Sequence, residues 1–456
     1  MQNGSPEFLK ELRVLGAKYF KTLDFVTNPL YTKHYEKLMI DEEWLKENTE
    51  PKDDPVPDEF SPLLDNYEEP IAIHVSGRPV HINLPERLRG RGVVMESVWD
   101  AVRKKPELVE LLLKNYSIQP GEDKLAGLIY SALNSGVLLY VPDGLELDIK
   151  VRLTWLTNAQ DGVTAAATLI YAGRGSRVSV LEEHHSYDAG GKSFVGHIIS
   201  VLGGDGSDVK HSILNNLAET AEVAILRRSY SLRYANQAWI GADLGGTVTK
   251  GLIDNMLIGD GSRTDTLEVV MAAKTQRFDI TANLNHKGQG TTGRVMVKGL
   301  GLDSSRTIFK GIIKIEQSAK NTNAYLAEHA MLLSPQARAD AIPGLEIESD
   351  NVKATHSASV SQIDPEHLWY LMCRGLSREE ATRLIASGFF EPVISQIDLP
   401  DVRWRIRHMI ENKWRREGEP PVDLETLIDI YVEPEDVGKS VEDIFGTHYK
   451  YVYGKR

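Results

Sequence analysis

The sequence predicts a mainly β protein, a right-handed parallel β-helix core flanked by N-terminal and C-terminal helical regions. Three observations predict it. From Gly136 to about residue 360, short β-rich runs alternate with Gly, Asp, Asn and Ser turns, and helix signals are nearly absent. Late in this stretch, turn clusters begin near Asp303, Ser318, Ser334 and Ser349, a spacing of roughly 15–16 residues. The β pattern then stops abruptly, and two short helical patterns follow. One coil of such a chain cannot bury its apolar face alone, so neighbouring coils must stack. A β-sandwich would give similar runs but rarely holds so long a stretch in one unit.

The elements divide the chain into three regions. Residues 1–135 read as mostly helical. Leu9, Leu12 and Leu15 have helix-like spacing, and residues 93–116 are helical in pattern. In 123–134, Leu125, Leu128, Ile129, Ala132 and Leu133 share one face. Within this region, the acidic, proline-bearing residues 41–70 read as a loop or mobile linker. Residues 71–84 (IAIHVSGRPVHINL) read as a β-hairpin turning at Ser76–Gly77. Residues 136–362 form the predicted β-helix core, beginning with GVLLYVPDG and its turn at Pro142–Gly144. Residues 363–456 are predicted to be a helical region with an extended tail. That tail carries a basic–aromatic run, VRWRIRHMIENKWRR, then LETLIDIYV and a strand-like YKYVYGKR.

Composition narrows the function. The chain has 456 residues and a formal net charge of −13, which argues against nucleic-acid binding. It has no apolar run long enough to span a membrane and no signal-peptide core, so a cytoplasmic, membrane-free protein is expected. The single cysteine, Cys373, rules out a disulfide framework within the chain and points to a reducing compartment. It also means that neither one chain nor two copies can supply four thiolates to a metal site. Any such site here needs histidine or carboxylate ligands, or a partner's cysteines.

The most informative stretch is Pro343–Phe389. Its alternating run (Leu345, Ile347, Ala354, His356, Ala358, Val360) ends in two helices. Asp364 can cap the first, Pro365 fits its first turn and Gly375 can end it. Ser377 and Glu380 have capping-box spacing for the second. This block resembles the end of the β-helical core in the SufB/SufD family of iron–sulfur cluster assembly scaffold proteins. The similarity lies in LEI at 345–347, VKATH at 352–356, LWYLMCRGLS at 368–377 and EEA at 379–381. Further similar segments run over roughly residues 136–390, including LIYAGRGSRVSVLEE at 169–183 and FKGIIKIEQSAKNTNAY at 309–325.

The resemblance implies a non-catalytic scaffold subunit. It would pair with a second SufB/SufD-type subunit, as a homodimer or heterodimer, and dock a SufC-type ABC ATPase. A transient iron–sulfur cluster would form at the subunit interface. His356 would then be the metal and cluster ligand, and Trp369, Tyr370, Arg374, Gly375 and Phe389 would be partner-binding. SufB-type members carry an essential cysteine ahead of this histidine, where this chain has Glu346–Ile347–Glu348–Ser349, and usually a Glu after it, where this chain has Ser357. The chain is therefore SufD-like. Read without the family, His356 is either a satisfied core histidine or a ligand among small alanines. Trp369, Tyr370, Arg374 and Phe389 are of interface hot-spot types, or simply cap the end of the solenoid.

Other motifs carry less. Cys373 reads as a small buried hydrophobe. Glu182–Glu183–His184–His185 reads as solvated charge, since strand alternation lets at most two of the four point together. His211 and His329 are assigned no role. AGGKS at 189–193 lacks the first glycine of a phosphate loop, so this chain is expected to bind no nucleotide itself. A purely architectural β-helix partner of the ATPase, with no metal site, is one alternative. A polysaccharide-active β-helix enzyme is a second.

Overall fold

The computed structural model describes residues 7–414, apart from 27, 189, 398 and 399. The runs LETLIDIYV and YKYVYGKR lie outside the described residues. The chain divides into two compact units, residues 1–361 and 362–456. The helical N-terminal region and the solenoid thus belong to one unit.

The first unit is a parallel β-solenoid of about eight turns built from two sheets. Successive strands alternate between a ten-stranded and a nine-stranded sheet, and each strand pairs in parallel with its equivalent one coil away. The roughly 15–16-residue spacing in the sequence is therefore half a coil. Arg294, for example, bonds Asp265, 29 residues earlier, across the ladder that joins neighbouring coils. The lumen is filled from Val137 to Ala330 by one continuous apolar core, in which Trp155, Trp239, Phe278 and Phe309 are fully buried.

The strands read as near-continuous apolar runs because both faces are covered in the early coils. Ala165, Leu169, Phe194, Ile198 and Leu226 face outward from the nine-stranded sheet. They share a second core with the helices Glu7–Thr22, Pro106–Asn115 and Lys124–Ala132. Leu9 and Leu12 are buried there, while Leu15 is exposed. Asp123 caps the last of these helices by accepting from the N–H groups of Leu125 and Ala126. The 93–116 stretch begins with a strand, Val94–Ser97, before turning helical at Val98. The expected hairpin is present, with Ser76 and Gly77 both at positive φ in its tight turn.

The acidic 41–70 segment is not a mobile linker. It holds a helix, Glu42–Asn48, capped by Asp41, and a 3-10 helix, Asp58–Asp65, and it buries Leu45 and Phe60. Its carboxylates are used locally: Asp53 pairs with Arg78, and Asp54 accepts from the Tyr187 hydroxyl at 2.6 Å. Together with residues 28–40 it forms a strap along the solenoid. His34 lies 3.8 Å from Asp340. The Glu36 N–H donates to Asp279 at 3.0 Å, and its carboxylate meets Arg277 and Arg306 at 3.3 and 3.1 Å. Further along, Met39 N–H donates to Glu222, Trp44 Nε1 to Asp161, and Asn134 donates to the Thr49 carbonyl.

Neighbouring coils approach closely at one corner. Gly259 sits where a Cβ would lie 2.1 Å from the Arg233 backbone nitrogen, and Gly288 stacks in turn on Gly259.

One lumen histidine gives a pH prediction. His286 is fully buried, its Nδ1 bonded to Thr291 Oγ1 at 2.8 Å, and burial pushes its pKa down to about 4. The unfolded value, about 6.5, is higher. Its contribution is therefore complete above pH ~6.5 and is lost as the pH falls towards ~4, a loss on the order of 3 kcal/mol. We expect the melting midpoint to drop over that window. His286→Leu should flatten the drop by about one proton's worth of slope; an unchanged slope would show that His286 does not titrate with unfolding.

Candidate functional site

Among the described residues, the solenoid ends on two strands with no further strand beyond them. Arg338–Ile347 closes the nine-stranded sheet and Val352–Gln362 the ten-stranded one, each bonded to a preceding coil on one side only. An open edge exposes backbone N–H and C=O groups that can pair with another chain. This end also carries exposed apolar side chains: Leu345, Ile347 and Val360. Val352 and Ala354 turn towards the luminal core. His356 follows two residues later on the same strand and is exposed, because no further coil among the described residues covers it. It is thus not a satisfied core histidine. A bond between His329 Nδ1 and Ser359 Oγ, 2.7 Å long, ties this strand to its neighbour one coil back.

The second unit contains the two helices that the caps predict. Asp364 accepts from the N–H of Glu366 ahead of the helix Pro365–Met372. Ser377 and Glu380 complete a reciprocal capping box at the start of Arg378–Ile394. Gly375 takes φ +96°, which ends the first helix in a conformation that disfavours other residues. The inner face buries Leu368, Ala381, Ala386, Phe390 and Val393. Trp369 is 68% and Tyr370 52% exposed, alongside exposed Met372 and Leu384. The Arg374 guanidinium lies 3.5 Å from the Tyr370 ring centroid, a cation–π pair that holds both side chains. Phe389 is half-buried, tilted against Phe390. Cys373 is exposed at the end of the first helix, contrary to the expectation of a buried hydrophobe. The helix ends one residue before it, so its side chain escapes the packed face.

A family model described as "SUF system FeS cluster assembly, SufBD core domain" matches residues 155–389. The chain is also 30% identical over 421 residues to the iron-sulfur cluster assembly protein SufD of Bacillus subtilis (strain 168), covering 90% of this chain and 94% of that one. The chain belongs to the SufBD family. Staphylococcal SufBD family proteins agree, among them SSP1857 of Staphylococcus saprophyticus, 25% identical over 77% of this chain and 78% of its own. Membership supports a role in iron–sulfur cluster assembly, and the chain is SufD-like.

This SufBD-family chain holds a second group of ligand-type residues that the sequence reading misplaced. Glu182, Glu183, His184 and His185 are all buried, not solvated. Alternation does divide them as expected. Glu182 and His184 continue the luminal face of Val178 and Val180; Glu183 and His185 face outward, Glu183 beside Arg152 at 3.7 Å and His185 beneath the Phe60 ring. The missed residue is His197, which the other sheet brings to the same luminal level between Val195 and Ile199. His211, assigned no role, donates from Nε2 to Glu182 Oε2 at 2.9 Å. Only the two-sheet topology brings these residues together. The AGGKS segment forms a turn between the strands Arg177–Tyr187 and Ser193–Gly203 and opens no helix. Among the described residues no helix is long and apolar enough to cross a membrane.

Proposed function

We propose that this chain is a non-catalytic, cytoplasmic scaffold subunit of the SUF-type assembly machinery. It pairs edge to edge with a second SufB/SufD-type subunit through the last strands of its solenoid. The helices Pro365–Met372 and Arg378–Ile394 dock a SufC-type ABC ATPase, and this chain binds no nucleotide itself. An iron–sulfur cluster, the cargo of the system, is assembled transiently at the paired edge with His356 as a ligand.

The observation that carries this reading is the uncapped end of the solenoid. A stable monomer would cover two open edges and the apolar Leu345, Ile347 and Val360; here they stand exposed beside His356. The exposed Trp369, Tyr370 and Arg374 support the docking half of the reading, since aromatics and arginine dominate interface energetics. The lone cysteine bears on the pairing, because the remaining cluster ligands must come from elsewhere.

The test is anaerobic reconstitution with iron and sulfide, read by absorption and EPR. It compares the chain alone with the chain mixed with a cysteine-bearing paralogue and the ATPase. Cluster signal is expected only in the complex, and His356→Ala is expected to reduce it severalfold. Signal indifferent to His356 would leave the chain an architectural partner. A Leu345→Lys, Val360→Lys double variant should abolish pairing in sedimentation velocity while keeping the wild-type melting midpoint, because it charges only the open edges. Pairing that survives it would place the interface elsewhere.

A further inference from the structure

Glu182, His184, His197 and His211 meet inside the lumen, all fully buried. Their positions follow from register. Glu182 and His184 stand opposite Leu153 and Trp155 of the preceding coil in the ten-stranded sheet. His197 enters from the nine-stranded sheet, and His211 from the next coil of the ten-stranded one. One carboxylate oxygen of Glu182, one nitrogen of His184 and one of His197 lie within 4.8 Å of one another. Glu182 Oε1 is 3.3 Å from His197 Nε2 and 3.9 Å from His184 Nε2. Ligands held at about 2.0–2.2 Å around one ion stand roughly 3 Å apart, so a small contraction would complete a coordination sphere.

Two features are unexplained by protein contacts alone. Neither ring nitrogen of His184 has a hydrogen-bond partner, although the side chain is wholly buried. A buried imidazole with both nitrogens idle carries an unrecovered desolvation cost. The second feature is charge. The ionic neighbours of Glu182 are the three histidines. Elsewhere in the unit another buried carboxylate, Glu268, is met by the Arg227 guanidinium at 3.0 Å. At the Glu182 level, among the described residues, the buried carboxylate faces imidazoles and no lysine or arginine, an arrangement that a cation would complete.

We propose that Glu182, His184 and His197 bind one divalent first-row transition metal ion inside the solenoid, of the zinc or ferrous-iron class. Two neutral imidazoles and a carboxylate suit both ions and offer nothing soft enough to favour copper(I). The surrounding groups are placed as an outer shell. Trp155 Nε1 and Thr168 Oγ1 donate to Glu182 Oε1 at 2.7 and 2.9 Å, and His211 holds Oε2. Thr168 Oγ1 also lies 2.9 Å from His197 Nε2, and this bond must yield when the nitrogen turns to the ion. Because Glu182 and His184 come from one sheet and His197 from the other, the ion would staple the sheets across the lumen. The site is enclosed, so the ion enters during folding.

The experiment uses the full chain, isolated without chelator from medium containing zinc and iron, with metal measured by mass spectrometry. A second sample is unfolded with chelator and refolded anaerobically with Zn²⁺, Fe²⁺ or Co²⁺. One ion per chain is expected in both samples, and which of Zn²⁺ and Fe²⁺ survives competition names the native ion. Co²⁺ should give d–d absorption of a nitrogen–oxygen site. His184→Gln and His197→Gln should each lower occupancy at least tenfold, while His356→Ala should retain the ion, which separates this proposal from the cluster reading. Should a glutamine variant misfold, the Co²⁺ spectrum of the wild-type chain decides. Substoichiometric metal in both wild-type samples with an intact melting transition, or full occupancy in His184→Gln, would overturn the proposal.

Discussion

Asp279→Ala is expected to lower stability by about 3–5 kcal/mol, because it strands two buried ammonium groups. Asp279 is 1% exposed and ion-paired to Lys250 and Lys310 from the flanking strands. Those lysines are themselves largely buried, with side chains 12% and 5% exposed. Burial opposes the Asp279 charge, but the two lysines more than offset it and depress its pKa. The same carboxylate accepts the Glu36 N–H and so anchors the strap. Asp279→Ala should therefore also expose residues 28–52 to rapid hydrogen exchange. Asp279→Asn can keep the bond to Glu36 but not the charge, so it should release the strap less and still lose most of the ionic stabilisation. Because buried lysines can shed a proton, the defect should shrink at high pH. An Asp279→Ala midpoint within error of wild type would show that the three groups are solvated in solution.

Gly259→Ala is expected to cost about 3 kcal/mol or more, at the top of the usual range for overpacking. The added methyl would lie 2.1 Å from Arg233 N, 2.2 Å from the Leu232 carbonyl carbon and 2.6 Å from Arg233 Cα. All three are backbone atoms, so no rotamer change relieves the clash and the coils must separate. Gly290 makes the control. It has φ +63° and open space where its Cβ would be. Gly290→Asn should cost less than about 1 kcal/mol, since Asn tolerates the left-handed region. Equal melting midpoints for the two variants would show that coil spacing at the corner is not fixed by glycine.

Much of this was legible in the sequence, for identifiable reasons. Asp364, Gly375, Ser377 and Glu380 act within a few residues of themselves, so their capping roles could be read directly and the structure agrees. The stacked-coil character was legible because turn residues recur. That the recurrence marks half a coil was not, because period alone does not say whether successive strands share a sheet. His356 was visible as one member of an alternating strand, but its exposure depends on where the coils stop. Glu182–His185 was misread because strand patterning gives one face at a time; the covering of both faces and the arrival of His197 are properties of the three-dimensional coil. The acidic 41–70 segment failed for a related reason. Its carboxylates look like solvated charge until the partners far along the chain are seen.

The strap has a consequence for the order of events during synthesis. Residues 28–40 leave the ribosome well before several of their seats, which include Asp279, Arg306, Lys310 and Asp340. The Lys310–His34 contact alone spans 276 positions. Coils can stack one after another as they emerge, each on the last. The earlier-made segment cannot complete its contacts until these last coils exist. Completion of its docking is thus a late check on the last coils: a chain truncated before residue 279 would keep the seats at Asp161 and Glu222 but lose Asp279, Arg306, Lys310 and Asp340.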